Sequence, residues 1–111
     1  MTELPIEIST DDVKKWIDET AESGLLDCRT EEEYRTAAID QATLIPMDQI
    51  QARLAEIEHF RDQRLVVLCH HGGRSLMVAE WLRQQGFHHA QSMAGGIDEW
   101  SEKIDPTIPR Y

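Results

Sequence analysis

Leu65-Val66-Val67-Leu68 is apolar on both of its faces, and Cys69-His70-His71-Gly72-Gly73-Arg74 separates it from Ser75 and a stretch with helical spacing. A strand with no polar face must be covered on both sides, which marks it as a central strand of a parallel sheet. Parallel neighbours need long crossovers, usually helical, so helices are predicted on both faces of that sheet. Ligands of such sheets bind beyond the carboxyl ends of the strands, which is where Cys69 falls.

The rest of the chain fits this frame. Ile6 and Ile8 alternate with polar residues and predict a short edge strand. Ser9 and Thr10 precede Asp11-Asp12, and Val13, Trp16 and Ile17 follow at i, i+3, i+4 spacing, which predicts an amphipathic helix. Leu25-Leu26-Asp27-Cys28 reads as a buried strand, and Thr30-Glu31-Glu32-Glu33 as a capping box opening a short helix to about Ala37 or Ala38. Ala42 to Ile45 predicts a strand stopped by Pro46. Met47, Ile50, Leu54 and Ile57 recur at helical spacing and predict a third helix. Residues 75–85 carry Leu76, Met77, Val78, Ala79, Trp81 and Leu82, apolar round most of a circumference, and predict a well-buried helix. Gln91-Ser92-Met93 suggests a last strand, Gly95-Gly96 precedes a helix bearing Ile97 and Trp100, and prolines should keep the tail from Asp105 extended. The fold class is α/β, with a doubly wound, largely parallel sheet and helices on both faces. With 111 residues the chain is long enough for one core, and residues 1–111 read as a single domain.

Charge and composition exclude several functions. There are 21 acids against 11 bases, a formal charge of −10, so no nucleic-acid partner and no anionic membrane surface is expected. No apolar run approaches the roughly 18 residues of a membrane span. Met1 to Pro5 lacks the basic and apolar regions of a signal peptide, so a cytoplasmic location is expected, where Cys28 and Cys69 would stay reduced.

A nucleophilic cysteine acts as its thiolate. A tight loop whose backbone N–H groups face inward, followed by a helix N-terminus, forms a nest for an anion. Gly72 and Gly73 permit the positive φ angles such a nest uses, and Arg74 adds a permanent charge with a fork suited to oxyanions. Cys69 is therefore the candidate nucleophile, with His70, His71, Gly72, Gly73, Arg74 and Ser75 as candidate binding residues. His70 and His71 read first as plain loop residues, with anion attraction or proton movement as the sharper alternative. Cys28 alternates with Asp27 and Arg29, so its thiol should point into the core, and a disulfide with Cys69 is the less favoured reading. Asp27 and Arg29 read as structural support, Asp27 accepting from a neighbouring loop and Arg29 pairing with a helix acid such as Glu33. Trp16, Trp81 and Trp100 read as core. Cys69, His70, His71, His88 and His89 match no standard zinc spacing, so no metal is expected.

Cysteine, four residues, arginine and serine between a hydrophobic strand and a helix resemble the active-site loop of the rhodanese family. Leu26-Asp27-Cys28-Arg29 with Glu33-Tyr34 resembles its Asp-x-Arg segment and Glu-aromatic pair. Gly95-Gly96-Ile97-Asp98-Glu99-Trp100 resembles its Gly-Gly-x-x-x-Trp signature. Asp105-Pro106-Thr107-Ile108-Pro109-Arg110-Tyr111 resembles the tails of rhodanese domains attached to sulfur-carrier activating enzymes. Where the family shows His-Ile-x-Gly-Ala, this chain has Ala38-Ile39-Asp40-Gln41-Ala42. The resemblance implies sulfane-sulfur transfer through a Cys69 persulfide and no cofactor. It implies an anionic donor such as thiosulfate, held by Arg74 with the amides from His70 to Ser75 around the outer sulfur, and a thiol, cyanide or sulfur-carrier protein as acceptor. A cysteine phosphatase or arsenate reductase of related fold would use a wider loop, with five residues between cysteine and arginine. A non-catalytic binding module of this fold is the other alternative.

Overall fold

The computed structural model describes residues 4–20 and 23–111; Met1, Thr2 and Glu3, part of the segment weighed as a leader, lie outside the described residues. Among the described residues, five strands form one wholly parallel sheet: β1 (Glu7–Ile8), β2 (Gly24–Asp27), β3 (Thr43–Leu44), β4 (Leu65–Leu68) and β5 (Ala90–Met93), in the order β1-β5-β4-β2-β3. As its two apolar faces require, β4 is central, with all four side chains at most 1% exposed. Gly24 to Asp27 pairs in register with Leu65 to Leu68, and the Cys28 amide donates to the Leu68 carbonyl (3.1 Å) just beyond the last pair.

Among the described residues there are four α-helices: α1 (Thr10–Glu19), α2 (Glu31–Thr36) and α3 (Gly73–Gln84), which lie between strands, and α4 (Gly96–Lys103), which follows β5. Ser9 caps α1 by accepting from the Asp12 amide, and Thr30 and Glu33 form the predicted capping box of α2. The period of two along the strands divides the core. Leu25, Val66, Leu68 and Met93 pack with Val13, Ile17, Ile97 and Trp100 on one face. Leu26, Val67, Cys28 and Cys69 pack with Val78, Ala79 and Leu82 on the other. Trp100 is core as expected, whereas Trp16 and Trp81 are only partly buried.

Three local expectations are corrected. Residues 47–57 do not form an α-helix; they are two 3₁₀ stretches, Met47–Gln49 and Leu54–Phe60. The Met47 amide is drawn back onto the Cys28 carbonyl (3.0 Å), and bonds such as Gln49 to Pro46 (2.8 Å) and Glu56 to Arg53 (3.0 Å) wind the chain tightly. Side chains three apart eclipse in this winding, which suits the Arg53–Glu56 and Arg61–Glu58 ion pairs. Ile50 and Ile57 still reach the core, so the apolar spacing was a true packing signal with the wrong helix type attached.

Secondly, α3 buries one stripe, not its circumference. Ser75, Val78, Ala79 and Leu82 face the sheet at i, i+3, i+4, i+7, while Met77 is 62% exposed. Thirdly, the tail is not simply extended. It turns so that the Ile108 amide meets the Asp105 carbonyl (3.1 Å), and Ile108 enters the core with its carbonyl accepting from Ser101 Oγ. No helix among the described residues is long and apolar enough to cross a membrane.

Candidate active site

Cys69 leaves β4 on the α3 face of the sheet, and its Sγ accepts from the amides of Gly72 (3.1 Å) and Ser75 (3.3 Å). Gly72 precedes α3 with φ of +115°, a conformation that turns its amide onto the sulfur and that residues with a Cβ rarely adopt. The thiol lies 3.4 Å from Ser75 Oγ, which donates to the Gly72 carbonyl and pairs with Ser92 Oγ at 2.7 Å. Cys69 is only 1% exposed, so the loop encloses it.

The loop carbonyls are turned away from the sulfur by α4. Ile97 and Asp98, in its first turn, donate their amides to the carbonyls of Cys69 (2.9 Å) and His70 (3.1 Å). These two bonds hold the first residues of the loop against α4, while the Gly72 and Ser75 amides face Sγ. Gly96 makes the close approach possible: a Cβ there would lie 2.3 Å from the His70 oxygen and 2.6 Å from the Cys69 oxygen, at φ of +61°.

Asp27 and Arg29 are both fully buried and paired with each other. Arg29 Nη2 lies 2.6 Å from Asp27 Oδ2, and Nε lies 2.9 Å from Oδ1. The remaining Arg29 donors reach the carbonyls of Ala37 (2.7 Å) and Glu33 (3.3 Å), which closes the carboxyl end of α2. Sequence reading paired Arg29 with the Glu33 side chain. The structure corrects that: the Asp27 carboxylate is two residues away on the same strand face and leaves Arg29 a neutral pair, and Glu33 turns to Arg74 instead.

Arg74 Nη1 and Nη2 bind Glu33 Oε1 (2.7 Å) and Oε2 (2.9 Å) as a fork. Arg74 and the Tyr111 hydroxyl hold the Glu33 carboxyl far below the usual carboxylate range, with Arg74 the larger cause. Tyr111 donates to Glu33 Oε2 (2.7 Å), accepts from Arg29 Nη1 (2.9 Å), and stacks its ring on His70 at 3.9 Å and 5°. His70 Nε2 is buried and has no hydrogen-bond partner among the described residues. His71 is exposed, its Nδ1 3.9 Å from Asp98. Gly73 begins α3 with open space where a Cβ would lie.

Beside the loop, a cleft of about 560 Å³ is lined by Cys28, Arg29, Met47, Asp48 and Arg74, among others. Burial pushes the Cys28 thiol up to about 12, and the nearby Cys69 and Asp27 add to this against Arg74. Both cysteines are free thiols. Among the described residues no three His, Cys, Asp or Glu side chains are placed to share a metal ion.

The structure thus brings Cys69, Gly72, Arg74 and Ser75, all singled out in the sequence, into one loop. Sequence reasoning misses the work of Glu33, Gly96, Ser92 and Tyr111. In the sequence Glu33 reads as a capping-box acid and a partner for Arg29, and Gly96 and Tyr111 stand only within motifs that the chain resembles. Nothing in the local sequence marks Ser92.

A doubly wound α/β domain that delivers a cysteine from its central strand into a loop whose Gly72 and Ser75 amides face the sulfur defines the class. Residues 9–103 match the rhodanese-like domain family, and the chain belongs to that family. The chloroplastic Rhodanese-like/PpiC domain-containing protein 12 of Arabidopsis thaliana is 36% identical over 92 residues, covering 81% of this chain and 31% of that protein. A protein of Allochromatium vinosum named Sulfurtransferase is 33% identical over 102 residues, covering 92% of this chain and 94% of its own. The crystal structure of a rhodanese-like domain protein from Staphylococcus aureus superposes with a TM-score of 0.80 at 30% identity, covering 96% of this chain and 99% of that one. The chain spans about a third or less of the length of the plant relatives it matches.

Proposed function

We propose that this chain is a sulfurtransferase that carries sulfane sulfur on Cys69. The observation that supports this reading most is the convergence of the Gly72 and Ser75 amides on Cys69 Sγ. Oriented amides stabilise a sulfur anion without rearranging during reaction. The same donors suit the outer, anionic sulfur of a persulfide. Four residues between Cys69 and Arg74 make a ring sized for a single sulfur atom.

In the first half-reaction the Cys69 thiolate attacks the outer sulfur of a donor such as thiosulfate. A new S–S bond forms, the donor's S–S bond breaks, and sulfite leaves with the electron pair. In the second, a thiol, cyanide or sulfur-carrier protein attacks the outer sulfur, and Cys69 leaves as thiolate. Arg74 is the charge toward which the donor's anionic end is drawn, although Glu33 offsets part of it. His70, His71 and Gly73 shape the mouth of the loop. Because Cys69 is 1% exposed, the loop must open locally to admit a donor. A reducing compartment such as the cytoplasm fits this chemistry, since a persulfide needs its thiols free.

Intact mass after incubation with thiosulfate tests the reading. One added sulfur atom is expected, removed by a thiol reductant and absent in Cys69→Ser. No added sulfur from thiosulfate or a low-molecular-weight persulfide would overturn it. Hydrolysis of an aryl phosphate in its place would point to the phosphatase chemistry that the loop size argues against.

A further inference from the structure

We propose that Tyr111 is a positioning residue of the Cys69 loop, setting through Glu33 how much of the Arg74 charge an incoming anion feels. This rests on the sulfurtransferase reading for its substrate, but not for its geometry.

The Glu33 carboxylate has five donors in place. Oε1 takes Arg74 Nη1 (2.7 Å), the Thr30 amide (3.1 Å) and the Thr30 hydroxyl (3.3 Å); Oε2 takes Arg74 Nη2 (2.9 Å) and the Tyr111 hydroxyl (2.7 Å). A hydroxyl donating to the oxygen that also binds Arg74 withdraws charge from that oxygen, so the guanidinium is less completely neutralised. The phenol is fixed from its other side, since it accepts from Arg29 Nη1, and that guanidinium is held by the buried Asp27. Burial, with Glu33 adding to it, raises the phenol to about 12, so it stays a donor at neutral pH.

The ring acts on the opposite end of the loop. It lies flat on His70, the residue after Cys69, while the hydroxyl reaches the partner of Arg74, the residue before Ser75. One side chain therefore touches one end of the segment that encloses the sulfur and reaches the other through Glu33. The tail that carries it is anchored: Ile108 is in the core, and Arg110 binds Asp98 at 3.0 and 3.2 Å. Asp98 is also the residue whose amide holds the His70 carbonyl.

Tyr111→Phe keeps the stacked ring and removes only the hydroxyl; Tyr111→Ala removes both. Two measurements separate positioning from mere stability. The first is the ratio of Cys69 alkylation rates with iodoacetate, an anion, and iodoacetamide, its neutral analogue. In Tyr111→Phe this ratio should fall about threefold, with the iodoacetamide rate held. The second is steady-state transfer from thiosulfate, where KM should rise about threefold to tenfold with the rate at saturation within about twofold. An unchanged ratio and KM in Tyr111→Phe would overturn the proposal. So would an equal change with both reagents, the mark of a loop merely loosened. Alkylation needs no sulfur transfer, so a wild-type protein that takes up no sulfur would sink the transferase reading while the ratio still decides the part played by Tyr111.

Discussion

Glu33 and Arg74 meet as a two-point ion pair that ties the first turn of α2 to the start of α3, with both contacts between 2.7 and 2.9 Å. The pair joins segments 41 residues apart, and it is the charged wall of the Cys69 loop. Arg74, with the Tyr111 hydroxyl in a lesser part, holds the Glu33 carboxyl below its ordinary value.

That depression makes the pair a pH-dependent contribution to stability. A carboxyl whose folded value lies below its unfolded one stabilises the fold above the unfolded value, near 4.5, and loses the contribution as pH falls from there toward the folded value. Glu33→Gln should cost about 1–2 kcal/mol at neutral pH, a modest figure because the pair is partly exposed. The gap between variant and wild type should begin to close only below about pH 4 and be much smaller by about pH 2. Urea unfolding at both pH values checks this, and a gap that stays constant would show that Glu33 does not carry the effect.

The Asp27–Arg29 pair behaves differently because neither partner touches solvent. Asp27→Ala leaves a buried guanidinium with carbonyls but no counter-charge, which should cost about 3–5 kcal/mol. The loss should appear as a lower urea midpoint with much of the near-ultraviolet signal retained below it. A cost under about 1 kcal/mol would mean that water reaches Arg29 in place of the carboxylate.

The parts of this fold that were legible in the chain are those whose signal is local. The strand Leu65–Leu68 needs only its own four residues to declare itself central, and Thr30 with Glu33 needs only a capping-box spacing. The parts that were not legible depend on partners distant in sequence. Arg29 has its acid two residues back and not on the helix, because Glu33 is taken by Arg74 from 41 residues away. Residues 47–57 wind as 3₁₀ turns where the Met47 amide is drawn onto the Cys28 carbonyl, a bond between segments that apolar spacing does not record. Tyr111 acts on a loop some forty positions earlier, which no periodicity encodes.

The two cysteines should differ sharply in reactivity although they lie at the ends of adjacent strands on the same face. Burial pushes the Cys28 thiol up to about 12, so at about pH 8 it remains protonated and slow. Iodoacetamide should therefore label the folded protein once, at Cys69, and a second time only after denaturation. Peptide mapping that found Cys28 labelled first in the folded protein would contradict the assignment of Cys69 as the reactive thiol.

Gly96 carries the most specific test of how the amide ring is made. Its α4 approaches the loop so closely that a methyl group would overlap the His70 and Cys69 carbonyl oxygens, which are backbone and cannot swing aside. The positive φ adds strain of about 1–2 kcal/mol for any residue with a Cβ. Gly96→Ala should thus push α4 away, lengthen the Ile97 and Asp98 bonds to the loop, and let the Cys69 and His70 carbonyls rotate back toward the sulfur. The expected result is a loss of about 2–4 kcal/mol in stability together with a larger loss of sulfur loading, at least tenfold, measured on protein that remains folded at low temperature. Gly73→Ala is the control, since nothing lies within contact distance of a Cβ there. Equal loading in the two variants would show that the Gly96 contact does not shape the cradle around Cys69.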